Sequence, residues 1–142
     1  MSDRKITSGH THSEYEYREC VSLDDLVPGK LVSPCGVRGT KMVVQLADNE
    51  DEAMRTAPLL IAKHQVNAPT QGVNINYSNE GRFLKYLVVR CDTQGTLLCA
   101  PVYLGKAGGI EFSPGAVERR VGTVIHVGPS GGADAGAVLL EV

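Results

Sequence analysis

Apolar and polar positions divide the chain into a polar start followed by a series of short apolar runs. Residues 1–22 carry little apolar content besides Ile6, Cys20 and Val21. Such a segment cannot bury a face of its own, so it is predicted to be an extended N-terminal arm, held most simply by a neighbouring subunit. Beyond it, Pro28 and Gly29 mark a turn, "KLVS" reads as a strand, "PCGVRGT" as a second turn region and "KMVVQLA" as a second strand. Asp48 or Asn49 is placed to cap a short helix, with Glu50, Asp51 and Glu52 where first-turn amides favour negative charge. Pro58 ends that helix within about two turns. "LLIAKHQV" is apolar and partly alternating, and "NAPTQG" closes it as a loop.

From Arg82 onward the pattern sharpens. "RFLKYLVVRCD", "TQGT" and "LLCAPVYLG" read as a β-hairpin turning at Gly95. Alternation puts Cys91 on one face with Val89 and Leu87, opposite Arg90 and Asp92, so Cys91 is expected in the core. "KAGG" turns the chain, "IEFS" is a brief strand, "PGAVERR" a connection, and "VGTVIHVG" and "AGAVLLEV" are the closing strands. Short strands recur with no long helix between them, which predicts an all-β fold. The expected architecture is a β-barrel or β-sandwich of short antiparallel strands with one short helix and the extended arm. Residues 1–22 form the arm and residues 23–142 a single β-rich domain.

Composition agrees with this picture. The 142 residues suit one domain with a real core. Sixteen glycines, seven prolines and no tryptophan fit many turns and few long helices. Fourteen Lys and Arg against sixteen Asp and Glu give a net charge of −2, without the basic block that neutralises nucleic-acid phosphates. No nucleic-acid partner is therefore expected. No apolar stretch reaches the ~20 residues of a membrane span, and no apolar secretory segment follows Met1. The expectation is a protein made in the cytoplasm, without a membrane partner. Cys20, Cys35, Cys91 and Cys99 form no CxxC pair, so free and mostly packed thiols are expected.

The candidate chemistry is thin. "GPSGGADAG", residues 128–136, holds four glycines in nine positions. A phosphate loop needs a following Lys and Ser or Thr and a helix N-terminus, whereas here "AVLLE" follows, so the loop is predicted to connect two strands. His10 and His12 are two ligands on an arm that does not close a metal site. His126, Ser130 and Asp134 have the residue types of a hydrolase triad, but they crowd around one glycine turn rather than coming from separate elements. His64 sits on an apolar run as a core-edge or surface residue. Asp24, Asp25 and the cluster Asp48, Glu50, Asp51 and Glu52 lack calcium-loop spacing. No catalytic residue, no cofactor and no metal site is predicted, and the chain is expected not to be an enzyme.

The order of "DDLVPGKLV", "VVQLADNEDEA", "YLVVRCDTQGTLLCAPVYLGKAGGIEFSPGA" and "VGTVIHVGPSGGADAGAVLLEV" resembles the small head decoration, or capsid cement, proteins of tailed phages. The resemblance spans residues 24–142 and is strongest in the closing hairpin. It implies a compact β-domain on the outer surface of an icosahedral head, commonly a homotrimer, bound to the major capsid protein and stabilising the expanded shell. The virion surface is the location it implies. On this reading the arm grips the shell, with Tyr15, Tyr17 and Arg18 as its capsid-binding residues, because an extended segment gains many backbone bonds from few residues and tyrosine buries a ring while keeping its hydroxyl wet. Two other classes remain open: a soluble oligomeric adaptor, and a small enzyme whose site assembles only in the fold. A deep pocket holding His64 or His126 beside a carboxylate would mark the enzyme.

Overall fold

The computed structural model describes residues 17–69 and 79–142. It is an all-β fold in which a closed five-stranded barrel adjoins a second, curled five-stranded sheet. The barrel contains β1 (Tyr17–Ser22), β2 (Leu31–Arg38), β3 (Lys41–Leu46), β4 (Leu60–Ala62) and β5 (Glu80–Leu84), in the order β1-β3-β2-β4-β5. Antiparallel pairing sets Tyr17 of β1 opposite Leu84 of β5, while β1 runs parallel to β3 with Cys20 opposite Met42. That parallel pair closes the barrel and departs from the all-antiparallel expectation.

The barrel interior is filled by Cys20, Leu26, Val32, Val44, Leu60, Ala62, Val66 and Phe83. Leu26 and Val66 belong to no strand, yet they bridge each other and plug the interior. Gly81 is needed here, because a Cβ at this position would collide with the Val66 side chain.

The second sheet contains β6 (Tyr86–Cys91), β7 (Pro101–Leu104), β8 (Ile110–Glu111), β9 (Arg120–His126) and β10 (Gly136–Glu141). Its order is β6-β10-β9-β7-β8. A shared apolar layer joins the sheets. Leu31, Ala47, Met54, Leu59 and Ile61 from the barrel side pack with Val102, Leu104, Val121, Val124, Val138 and Leu140 from the second sheet. Backbone bonds add to this: Leu31 N–H donates to Gly108 C=O (2.9 Å), Gly108 N–H to Ala47 C=O (2.6 Å), and Asn49 N–H to Gly105 C=O (3.1 Å).

Several local expectations need correction. "RFLKYLVVRCD" is not one strand. It bends at Lys85, leaving β5 in the barrel and β6 in the other sheet. β6 and β7 do not form a hairpin either; the β9–β10 pair lies between them, with β6 on β10 and β7 on β9. The turn at Gly95 is real (φ +85°), but it belongs to a connection arching over the sheet end. "PCGVRGT" is strand through Arg38, with a bulge at Cys35 that accommodates Pro34 within the ladder. The turn is confined to Gly39 and Thr40. The short helix is a 3-10 helix at Glu52–Arg55, capped by the Asp51 side chain rather than by Asp48 or Asn49. The boundary drawn after residue 22 follows a barrel strand, since Tyr17–Ser22 is β1.

Candidate interaction surface

The loops that join β6 to β7 and β9 to β10 lie at the same end of the second sheet. The pairing registers require it: Cys91 faces Gly136, Ala137 faces His126, and Pro101 faces Thr123. Thr93, fully buried, ties the loops together. Its Oγ1 donates to His126 C=O (3.0 Å) and accepts from Gly128 N–H (2.9 Å). Gly136 passes so close to this hydroxyl that any Cβ there would overlap Thr93. The Asp92 carboxylate accepts from Gln94 N–H (2.9 Å), and the Thr96 hydroxyl donates to Thr93 C=O (2.6 Å), winding the first loop into a tight turn. "GPSGGADAG" is thus a strand connection, as its composition predicted.

The clamped loop carries apolar side chains outward. Leu97 is 78% and Leu98 62% exposed. A turn closed by Ala100 N–H on Leu97 C=O (3.0 Å) projects them, with Cys99 at a left-handed φ of +68°. Cys99 N–H donates to Val124 C=O (2.8 Å) and Val124 N–H to Ala100 C=O (2.9 Å), which sets the turn beside the exposed Ile125 of β9. Leu97 and Leu98 belong to neither buried cluster and form an exposed apolar projection.

Carboxylates act in this chain as backbone staples. Asp24 accepts from Leu46 N–H (2.9 Å), Asp25 from Ala68 N–H (2.7 Å), and Asp51 from Ala53 N–H (3.0 Å). Asp48 accepts from Glu50 N–H (2.9 Å) and Ala107 N–H (3.1 Å), and these two backbone bonds hold its carboxyl below its ordinary range. Glu50 pairs with Lys106 across the same junction (3.0 Å). Among the described residues no group of three or more His, Cys, Asp or Glu is arranged to hold a metal ion. Asp51 stands at the helix start, where the sequence pattern put it, whereas the fastening of loops by Asp24, Asp25 and Asp48 was not foreseen; their position beside Asn, Gly and Pro turns was the available signal.

The remaining sequence candidates are dispersed. His64 is exposed, accepting from Arg82 N–H through Nε2 (3.2 Å). His126, Ser130 and Asp134 are all exposed, and Asp134 is engaged through its main-chain oxygen by Arg90 (2.6 Å). Neither His64 nor His126 lines the groove of about 150 Å³ between the barrel turn Pro28–Lys30 and the second sheet, which is walled by Val89, Cys91, Ile110 and Leu140. All four cysteines are free, but Cys35 and Cys99 are exposed, so the thiols are less packed than expected. Cys91 does face the shared layer with Leu87 and Val89, though only half-buried, and burial pushes its thiol upward. Tyr15 lies outside the described residues, and so do His10 and His12. Tyr17 and Arg18 open β1, opposite Leu84 and Phe83.

No known protein family, no curated protein and no solved structure matches this chain.

Proposed function

We propose that the chain is a structural binding module that decorates the outer surface of an icosahedral phage head and stabilises the expanded shell. The observation that carries the reading is the rigid apolar turn: Leu97 and Leu98 are presented outward from a loop locked by Thr93, beside Ile125. A preformed apolar projection binds another protein without first having to be ordered. The resemblance of residues 24–142 to capsid cement proteins supplies the partner class, the major capsid protein, and a three-fold grouping of copies. The N-terminal arm supplies a second contact in this reading, with Tyr15 ahead of β1 and Tyr17 and Arg18 at the start of β1, and several weak contacts per group sum through effective concentration. No reaction, cofactor, nucleic acid or membrane enters the proposed role.

The test is the copy number of this chain in purified particles, measured by mass spectrometry against the major shell protein. A fixed high ratio, lost in particles whose shells are held unexpanded, is the expected result. A chain absent from particles and free in the lysate overturns it. A Leu97→Asp/Leu98→Asp variant is expected to fold normally and to leave the particles.

A further inference from the structure

The β2–β3 hairpin outruns the rest of the barrel. β4 pairs with β2 only at Leu31 and Val32, and β1 pairs with β3 only at Met42, Val43 and Val44. Beyond those positions residues 35–40 form a narrow finger that is exposed at every position. Val37 on it is 78% exposed, and a Cβ built at Gly36 or Gly39 meets nothing within 4 Å. A two-stranded ribbon with no third strand and no packed face is marginal by itself. Arg38, beside Val37, makes no ion pair among the described residues.

The groove at the junction of the two sheets is the complementary feature. Pro28 and Gly29 wall it on the barrel side, Val89, Cys91, Ile110 and Leu140 on the other, and its volume is about 150 Å³. The main-chain donors around it are taken: Gly29 N–H donates to Ala62 C=O (2.9 Å), Lys30 N–H to Val27 C=O (3.2 Å) and Gly109 N–H to Lys106 C=O (2.9 Å). Such a site receives an apolar side chain by contact and leaves a polar ligand without partners. Two charges flank it. Lys30 Nζ is 3.5 Å from Ala107 C=O, and Glu111, which follows Ile110 in β8, makes no ion pair among the described residues.

We infer that Val37 on the finger of one copy enters this groove in the next, so that copies of the chain associate head to tail. The finger cannot reach its own groove: Lys30 lines the groove just before β2, and Val37 lies seven residues along, about 20 Å away in an extended strand. The three carbons of a valine side chain fit the volume, and Arg38 brings a cation without an acid partner to a rim where Glu111 lacks a cation. Val37 suits the groove better than the equally exposed Leu97, whose turn is bonded back to Val124 at Cys99 and Ala100 and has no free length to insert. The two patches differ, so the contact is heterologous, and a free finger and a free groove remain until the assembly closes into a ring. One such contact is small; closure gives the last copy a second bond and raises its hold through effective concentration. The inference does not rest on the shell reading, because purified protein alone tests it.

The experiment is sedimentation velocity of the full chain over a concentration series, beside the finger variant Val37→Asp and the groove variants Pro28→Lys and Ile110→Lys. Val37 and Pro28 are exposed, so those two variants are expected to keep the fold, which circular dichroism verifies. The expected result is a wild type that forms assemblies of three or more copies, while each variant stays monomeric at the same concentrations. Mixed in equal amounts, Val37→Asp and Pro28→Lys hold one intact groove and one intact finger between them, and they are expected to form a heterodimer that grows no further. Val37→Cys in a Cys35→Ser/Cys99→Ser background, oxidised with diamide, is expected to link position 37 of one copy to Cys91 of the next, read by peptide mass spectrometry. A wild type that stays monomeric or stops at a dimer, folded variants that associate as wild type does, a mixture that stays monomeric, or no linkage of position 37 to Cys91 overturns the proposal.

Discussion

Single side chains in this protein hold loops more than they fill space. Thr93 serves two main-chain groups of the β9–β10 connection, one of them the buried Gly128 N–H. Thr93→Val keeps the shape and strands that donor, so stability is expected to fall by about 1–3 kcal/mol in a denaturant titration. Ala107 holds a φ of +50° in the turn between β7 and β8, next to Gly108 at +74°. A β-carbon is disfavoured there, and Ala107→Gly is expected to raise stability by roughly 1 kcal/mol, read as an upward shift in thermal midpoint. Asp48 fastens the same turn through Ala107 N–H. Its carboxyl lies below the ordinary range in the folded chain, so its contribution is full above that range and is lost as pH falls through the lowered folded value. Asp48→Asn should therefore lose less of its thermal midpoint than wild type between about pH 5 and pH 3.

At the scale of elements, what could be read from the sequence was local and what could not was pairing. Alternation and turn residues located β3, β7, β8, β9 and β10, and the Cys91 face, because those signals lie within a few residues of one another. They fix a pairing only where a single turn joins the partners, as in the closing β9–β10 hairpin, and carry nothing about which distant strands lie side by side. The pattern at residues 82–104 satisfies a hairpin, but the bend at Lys85 and the Thr93 bonds send β6 and β7 to opposite sides of β9–β10. Pro34 and Gly36 read as turn residues until a bulge at Cys35 is available to absorb them. β1 escaped notice because its neighbours, β3 and β5, come from distant parts of the chain and supply the apolar surroundings that its own sequence lacks. The same reason hid the Leu97–Ile125 surface, since exposure follows from register. Removal of residues 1–16 is expected to leave the barrel closed, whereas removal of residues 1–22 takes away β1 and exposes the edges of β3 and β5. Amide hydrogen exchange over residues 41–46 and 80–84 distinguishes the two: slow exchange after the second deletion would refute the role of β1.

The whole molecule is two sheets with one layer in common. The barrel also has an interior of its own, drawn from residues 20–83, while the second sheet packs through the shared layer onto the barrel. Leu31 sits in that shared layer and is fully buried. Leu31→Ala is expected to cost about 2–5 kcal/mol and to lower exchange protection in both β2 and β10. A loss confined to the barrel would show the two sheets to be energetically independent.

The position of β10 also bears on biosynthesis. It is translated after both β6 and β9, yet it lies between them inside the sheet. While the ribosome still holds residues 136–141, the barrel strands are already outside and able to close, but β6 and β9 have no strand to lie between them. Nascent chains arrested before Gly136 should therefore carry a protease-resistant barrel followed by a cleavable segment from Tyr86 onward. During that interval Leu31, Leu59 and Ile61 lack their cover from the second sheet, which makes the pause before β10 emerges the time when this protein most needs a chaperone.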